Sequence, residues 1–391
     1  MTRRTRWKAA ATFAAAFAAA SVSATTAAAQ DYQRHAIDGN LPVFAPALKA
    51  RLAFPLAWTP AVKDLPAWRA AGRAKLWEVT LQDRDDTPFA PQVIAEIDRG
   101  SYVARQVVFN LTAVSRVRAL LLVPKAKGSH PAALMLHDHG GRFDIGKEKM
   151  AEPWGDEARL AASRTWADKY FSGRYPGDEL ARRGYVVLVA DALGWGDRGP
   201  LTGDAQQALA ANFFNLGSSL AGNMALEDTR AAAFLASLPE VDRRRVAALG
   251  FSMGALRAWQ VAALSDDVTA LVAVNWMATT DGLMVPSNNQ LRGSSAFQML
   301  HPGLLRHLDF PDAASLAAPK PALFFAGAAD PLFPLPSVQQ AFGKMAKVWQ
   351  AWHAGDKFDT RILPGGHAFP REAQQQAYDW LDGQFGRATK P

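Results

Sequence analysis

The five residues Gly250-Phe251-Ser252-Met253-Gly254 constrain this chain more than any other stretch. They follow the apolar run Val246-Ala247-Ala248-Leu249, which reads as a short strand buried on both faces. They lead into residues 255–264, whose composition and spacing are helical. A strand that becomes a helix this abruptly holds its central residue in a strained backbone conformation. Side chains at 250 and 254 would collide with neighbouring backbone, and glycine stands at both positions. A serine held this way projects its hydroxyl clear of the sheet. The N-terminal N–H groups of the following helix then face the place where an oxyanion would form.

The same alternation runs through the chain. Residues 102–111 and 116–123 read as two antiparallel strands, and 132–136, 185–190, 269–274, 322–327 and 358–363 as further strands. Residues 178–183, 224–238, 337–352 and 373–385 have helical spacing. This order predicts an α/β fold with a mostly parallel eight-stranded sheet covered by helices on both faces. Residues 142–177 are a long polar stretch and residues 275–318 carry few helical signals, and both read as lid or rim insertions. Residues 101–391 form the expected catalytic domain, and residues 30–100, with Trp58, Trp68 and Trp77, an extension packing on it.

Residues 1–29 read as a signal peptide: a basic start, an alanine-rich apolar run over 9–20, and Ala27-Ala28-Ala29 before Gln30. The apolar run is too short and alanine-rich to span a bilayer well, so no stable membrane insertion is expected after cleavage. The basic start partly resembles a twin-arginine signal, with Arg6 where an apolar residue is usual, so the Sec and twin-arginine routes both stand. The expected location is periplasmic or secreted. Of the net charge of +7, Arg3, Arg4, Arg6 and Lys8 account for four and the leader holds no acid, which leaves +3. So small an excess makes no case for nucleic-acid binding. The chain has no cysteine, which excludes a thiol nucleophile, disulfides and thiolate metal sites.

Serine at its free pKa is a poor nucleophile and needs a base in reach, which itself needs an orienting acid. Asp330 follows the strand at 322–327, and His367 follows the strand at 358–363 after Gly365-Gly366. Open parallel sheets build their sites along that edge. Asp281 and Asp309 are rival acids in the irregular 275–318 segment. The expected oxyanion donors are the N–H of Met253 and those of His139 and Gly140, in the loop His137-Asp138-His139-Gly140-Gly141. A zinc reading of His137 and His139 lacks a third ligand at motif spacing, so no metal and no cofactor is assigned.

With these residues the chain resembles the α/β-hydrolase superfamily over about residues 100–385, and within it the dienelactone hydrolase and acetyl xylan esterase-like branch. The resemblance rests on the 137–141 loop, Gly146-Lys147-Glu148-Lys149, Asp191 with Gly194-Trp195-Gly196-Asp197-Arg198, the 250–254 turn, Asp330 and His367. It departs from true dienelactone hydrolases in carrying serine where they use cysteine. It implies carboxylic-ester hydrolysis, and for an exported member acetyl or methyl esters of carbohydrates.

Arg142, Lys147, Lys149, Arg164 and Arg198 are candidates for a basic pocket rim, and Trp154, Trp166, Trp195 and Trp276 for stacking on sugar rings; the alternative is that the charges are solvated and the tryptophans fill the core. Arg142, Trp195 and Trp276 are the substrate-binding candidates among them. The expected partner is a small-molecule or oligosaccharide ester, and no oligomeric state follows from the sequence. Two other readings remain: a serine peptidase of the prolyl-oligopeptidase kind, which shares the triad but usually carries a propeller, and a non-catalytic binding protein of the same fold.

Overall fold

The computed structural model describes residues 36–286, 288–289 and 294–387; the leader read at 1–29 lies outside them. The main sheet has nine strands: β1 (Gln92–Asp98), β2 (Tyr102–Thr112), β3 (Ser115–Pro124), β4 (His130–Leu136), β5 (Val186–Ala190), β6 (Val241–Phe251), β7 (Ala270–Val274), β8 (Ala322–Gly327) and β9 (Phe358–Leu363). Their order is β9-β8-β7-β6-β4-β5-β3-β2-β1. The six from β4 to β9 pair in parallel, and β1 to β3 add an antiparallel edge.

The ninth strand corrects the expected count of eight. β1 lies inside the segment read as an extension, pairs only with β2 and is interrupted by a bulge between Val93 and Ala95. Val93 and Ile94 are exposed, so the strand lacks the inward-facing pattern that marks its neighbours.

Apart from two short helices at Ala45–Lys49 and Thr280–Leu283, the helices among the described residues are α1 (Leu65–Glu78), α2 (Glu157–Tyr170), α3 (Pro176–Arg182), α4 (Gly203–Asn215), α5 (Leu220–Ser237), α6 (Met253–Leu264), α7 (Phe310–Ser315), α8 (Leu335–Ala351) and α9 (Arg371–Gln384). Side chains alternate across the sheet. Ala132, Leu134 and Leu136 of β4 face a layer built with α1, α5, α6 and α8. Ala133 and Met135 face a second layer, with Trp166 of α2, Leu180 of α3 and Tyr378 and Leu381 of α9. The strands that are covered on both faces are those that read as continuous apolar runs.

α2 falls inside residues 142–177, which were expected to be irregular. Of its side chains only Ser163, Trp166 and Ala167 are buried, so no apolar stripe announces it. α1 joins the main layer: Trp68 and Leu76 are buried in it, and Arg69 and Arg73 donate to the carbonyls of Leu316 and Leu264. Among the described residues no helix is long and apolar enough to cross a membrane.

The tightest approach in the sheet lies at the β6–α6 turn. A Cβ on Gly254 would stand 1.9 Å from the Leu136 carbonyl oxygen at the end of β4. Gly343, in α8, has nothing within 4 Å. Gly254→Ala is expected to lower the unfolding free energy by about 2–3 kcal/mol. Gly343→Ala should leave it unchanged or raise it by up to about 1 kcal/mol. Urea denaturation midpoints of the two variants check this contrast.

Candidate active site

Ser252 sits between β6 and α6 with φ 56° and ψ −126°. This is a left-handed region that a non-glycine residue enters only when its surroundings force it. The forcing contacts are visible. Its N–H donates to the Val274 carbonyl at 2.8 Å, and a Cβ at Gly250 would meet the Gly254 carbonyl oxygen at 2.0 Å. The strand and helix therefore close on the serine from both sides and leave its hydroxyl at the C-terminal edge of the sheet.

The structure brings Ser252, His367 and Asp330 together there. His367 Nδ1 lies 2.7 Å from Asp330 Oδ2, and His367 Nε2 lies 2.8 Å from Ser252 Oγ. With the Nδ1 proton donated to the carboxylate, Nε2 is left as an acceptor for the serine hydroxyl. The other Asp330 oxygen accepts the Leu332 N–H at 2.9 Å. The Asp330 side chain is almost wholly buried, and that of His367 is partly open. Phe251 and Phe333 pack on the imidazole with ring centres 4.9 and 6.1 Å away. This geometry can move a proton from a hydroxyl to a ring nitrogen and hold the resulting imidazolium against a carboxylate. The rival acids serve elsewhere: Asp309 caps α7 and accepts from Thr280, and Asp281 pairs with Lys49.

Gly140 and Gly141 both have positive φ, at 56° and 68°, so the loop after β4 doubles back tightly. A Cβ on Gly140 would meet the Trp166 ring at 2.3 Å. Among the described residues no acceptor takes the N–H of His139 or Gly140. Met253 opens α6, where N–H groups have no partner within the helix.

The histidine rings of this loop are engaged structurally. His137 lies between the Asp138 carbonyl and the Ala192 N–H, at 2.9 and 3.0 Å. His139 lies between Gln206 Oε1 and the Gly141 N–H, at 2.7 and 3.2 Å. Burial lowers the pKa of His139 and takes that of His137 well below the usual histidine value, keeping both rings neutral at pH 7. Among the described residues no group of three or more His, Asp or Glu side chains could hold a metal ion.

The substrate-binding candidates fare differently. Trp195 is fully buried behind the loop, with Nε1 donating to the His139 carbonyl at 3.2 Å. Trp276 is buried among Trp259, Phe310 and Phe333. Neither presents a face on which a sugar could stack, because both fill the core. Arg142 is half-exposed and paired with Asp144.

The basic rim also dissolves. Lys147 is buried against Asp191, Glu148 and Asp197, Arg198 pairs with Glu227, and Arg164 with Glu152. Burial pulls Lys147 toward its neutral form, but the three carboxylates outweigh this and hold its pKa above the ordinary lysine value.

Asn275 is a site residue that the sequence reading passed over. It follows β7 directly, has φ 58°, and its side-chain amide donates to the carbonyls of Gly366 and Ala368 at 3.4 and 2.9 Å. It thus ties the His367 loop to the strand beside Ser252. A polar residue in the first position after a parallel strand was the available signal. Asn275→Ala is expected to cost about 2 kcal/mol, through the lost hydrogen bonds and the positive φ. It should also raise amide hydrogen exchange at residues 366–368. Unchanged exchange there would contradict the tether.

The sequence pattern of the Dienelactone hydrolase family matches residues 174–381. YtaP of Bacillus subtilis (strain 168), provisionally named a hydrolase, is 27% identical over 318 residues, covering 80% of this chain and 100% of its own. A provisionally named acetyl xylan esterase of Bacteroides fragilis has a similar fold, with a TM-score of 0.65, 17% identity and coverage of 81% of each chain. The glucuronoyl esterase of Solibacter usitatus has a TM-score of 0.60, 15% identity and coverage of 85% of this chain and 98% of its own. With the sheet, the strained serine turn and the family pattern in agreement, this chain belongs to the dienelactone hydrolase family and is an ester hydrolase.

Proposed function

We propose that the chain is an exported serine esterase in which Ser252 attacks, His367 transfers protons and Asp330 orients the ring. The observation that carries this reading is the pair of short hydrogen bonds from Ser252 Oγ through His367 to Asp330. In the proposed cycle His367 Nε2 takes the hydroxyl proton as Oγ bonds to the ester carbonyl carbon. The N–H groups of Met253, His139 and Gly140 receive the oxyanion. The tetrahedral intermediate collapses, the alcohol leaves with the proton from His367, and the acyl group stays on Ser252. Water, deprotonated by the same ring, then releases the acid and restores the serine.

The proposed substrates are acetyl or methyl esters of carbohydrates. Neighbours in fold named as acetyl xylan and glucuronoyl esterases favour this class. The ion pairing of Arg142, Lys147, Arg164 and Arg198 favours a neutral substrate over an anionic one. The described part of the 30–100 segment holds two helices and three strands, and nothing in it favours a peptidase over an esterase. Cleavage after Ala29, and a catalytic unit over 101–391 with 30–100 as its extension, belong to the same proposal.

Ser252→Ala is expected to lower kcat for p-nitrophenyl acetate by at least about 10⁴-fold, and Asp330→Asn by about 10⁴-fold, with the fold intact by circular dichroism. A Ser252→Ala enzyme at the parent rate would exclude the serine mechanism. For the substrate class, acetate release from acetylated xylan fragments and methanol release from methyl-esterified ones are measured side by side. Release of at least one is expected, and release of neither would remove carbohydrate esters from the proposal.

A further inference from the structure

Behind the 137–141 loop lies a lysine that the proposed cycle does not use. The Lys149 side chain is fully buried. Its Nζ donates to the Asp138 carbonyl at 3.1 Å and to the His139 carbonyl at 3.0 Å, and stands 3.5 Å from Asp138 Oδ2. The Trp166 ring lies 4.8 Å from it and sends its N–H to the other Asp138 oxygen at 3.1 Å.

These contacts orient more than two oxygens. In a trans peptide the carbonyl of one residue and the N–H of the next lie in one plane and point in opposite directions. The Asp138 carbonyl shares its peptide with the His139 N–H, and the His139 carbonyl shares its own with the Gly140 N–H. Both peptides are trans. An ammonium that holds both carbonyls on the inner side of the loop therefore turns both N–H groups outward, and neither has an acceptor among the described residues.

The segment that delivers Lys149 is itself fixed. The Lys147 N–H donates to Asp191 Oδ1 at 2.7 Å, and the Gly146 N–H to Glu148 Oε2 at 3.0 Å. A Cβ on Gly146 would meet Asp191 Oδ1 at 2.3 Å. The buried ion pairs of Lys147 with Asp191, Glu148 and Asp197 lock this turn to the end of β5. A rigid support of that kind keeps a hydrogen-bond donor aimed through the reaction.

We propose that Lys149 is a positioning residue for the oxyanion hole, its ammonium clamping the Asp138 and His139 carbonyls so that the His139 and Gly140 N–H groups face Ser252. Trp195 Nε1 shares the His139 carbonyl and assists. The inference rests on the serine-esterase reading of the same site.

The test compares p-nitrophenyl acetate with its thiono analogue, in which sulfur replaces the carbonyl oxygen and accepts hydrogen bonds poorly. In Lys149→Met, kcat for the oxygen ester should fall about 100-fold. KM should stay within about twofold of the parent value. The rate on the thiono ester should fall far less, so the preference for oxygen over sulfur narrows by nearly the same factor as kcat falls. A merely structural lysine would lower both rates together. Parallel losses, or an unchanged kcat, would overturn the proposal.

Trp195→Phe keeps most of the ring and removes one donor, and should narrow the preference by about threefold. If Lys149→Met does not fold, an unchanged preference in Trp195→Phe overturns the proposal instead. Ser252→Ala, assayed alongside, separates the two levels. Activity at the parent rate in that variant sinks the esterase reading and this inference with it. An inactive Ser252→Ala beside parallel losses in Lys149→Met sinks this inference alone.

Discussion

Everything at the C-terminal edge of this sheet depends on how closely α6 approaches β4. Gly254 lies against the Leu136 carbonyl and Gly250 against the Gly254 carbonyl, with no room for a Cβ at either. That approach forces Ser252 to φ 56° and sets the start of α6 beside the loop that follows β4. The strain at one residue is sustained by the apolar contacts of α6, every residue of which is buried. Arg257 strengthens the same junction. It pairs with buried Asp228 and donates to the His137 carbonyl at 3.3 Å. The helix that follows Ser252 is thus bonded to the loop proposed to carry the oxyanion donors.

A second set of forces is electrostatic and lies just beneath the site. Lys147, Lys149, Asp138, Glu148 and Asp191 are all buried. Taking such charges out of water is costly, and the cost is offset only when each finds partners of good geometry. Here they do, and the result is a loop whose three carbonyls, at 137, 138 and 139, are each held by a buried side-chain donor. Hydrophobic packing alone would not fix peptide orientation in this way, since it is non-directional. Of the expected rim, Lys147, Lys149 and Arg198 are enclosed and paired, while Arg142 and Arg164 keep exposed side chains, each beside a carboxylate.

What could be read from the sequence follows from the same physics. β4, β5, β6, β7 and β8 are covered on both faces and announce themselves as apolar runs. Ser252, Asp330 and His367 each stand just beyond such a run or beside a glycine pair, and the structure places them within hydrogen-bond reach of one another. Residue type and position on the chain carried no information on which faces the long insertions bury. Trp195 and Trp276 therefore read equally as sugar platforms or as core residues, and the structure makes them core; Lys149 reads as a rim charge and is fully enclosed. α2 stayed hidden because it buries too few side chains to show a period, and β1 because Val93 and Ile94 are exposed. Asn275 acts through its side-chain contact with a loop about 90 residues away. Local pattern does not encode such a contact.

Ser252 is the proposed nucleophile. Treating the folded protein with a fluorophosphonate and mapping the adduct by peptide mass spectrometry tests it most directly. One stoichiometric adduct is expected, on the peptide carrying Ser252, with labelling abolished in His367→Ala. An adduct confined to another residue, or a folded protein that takes up no label, would contradict it.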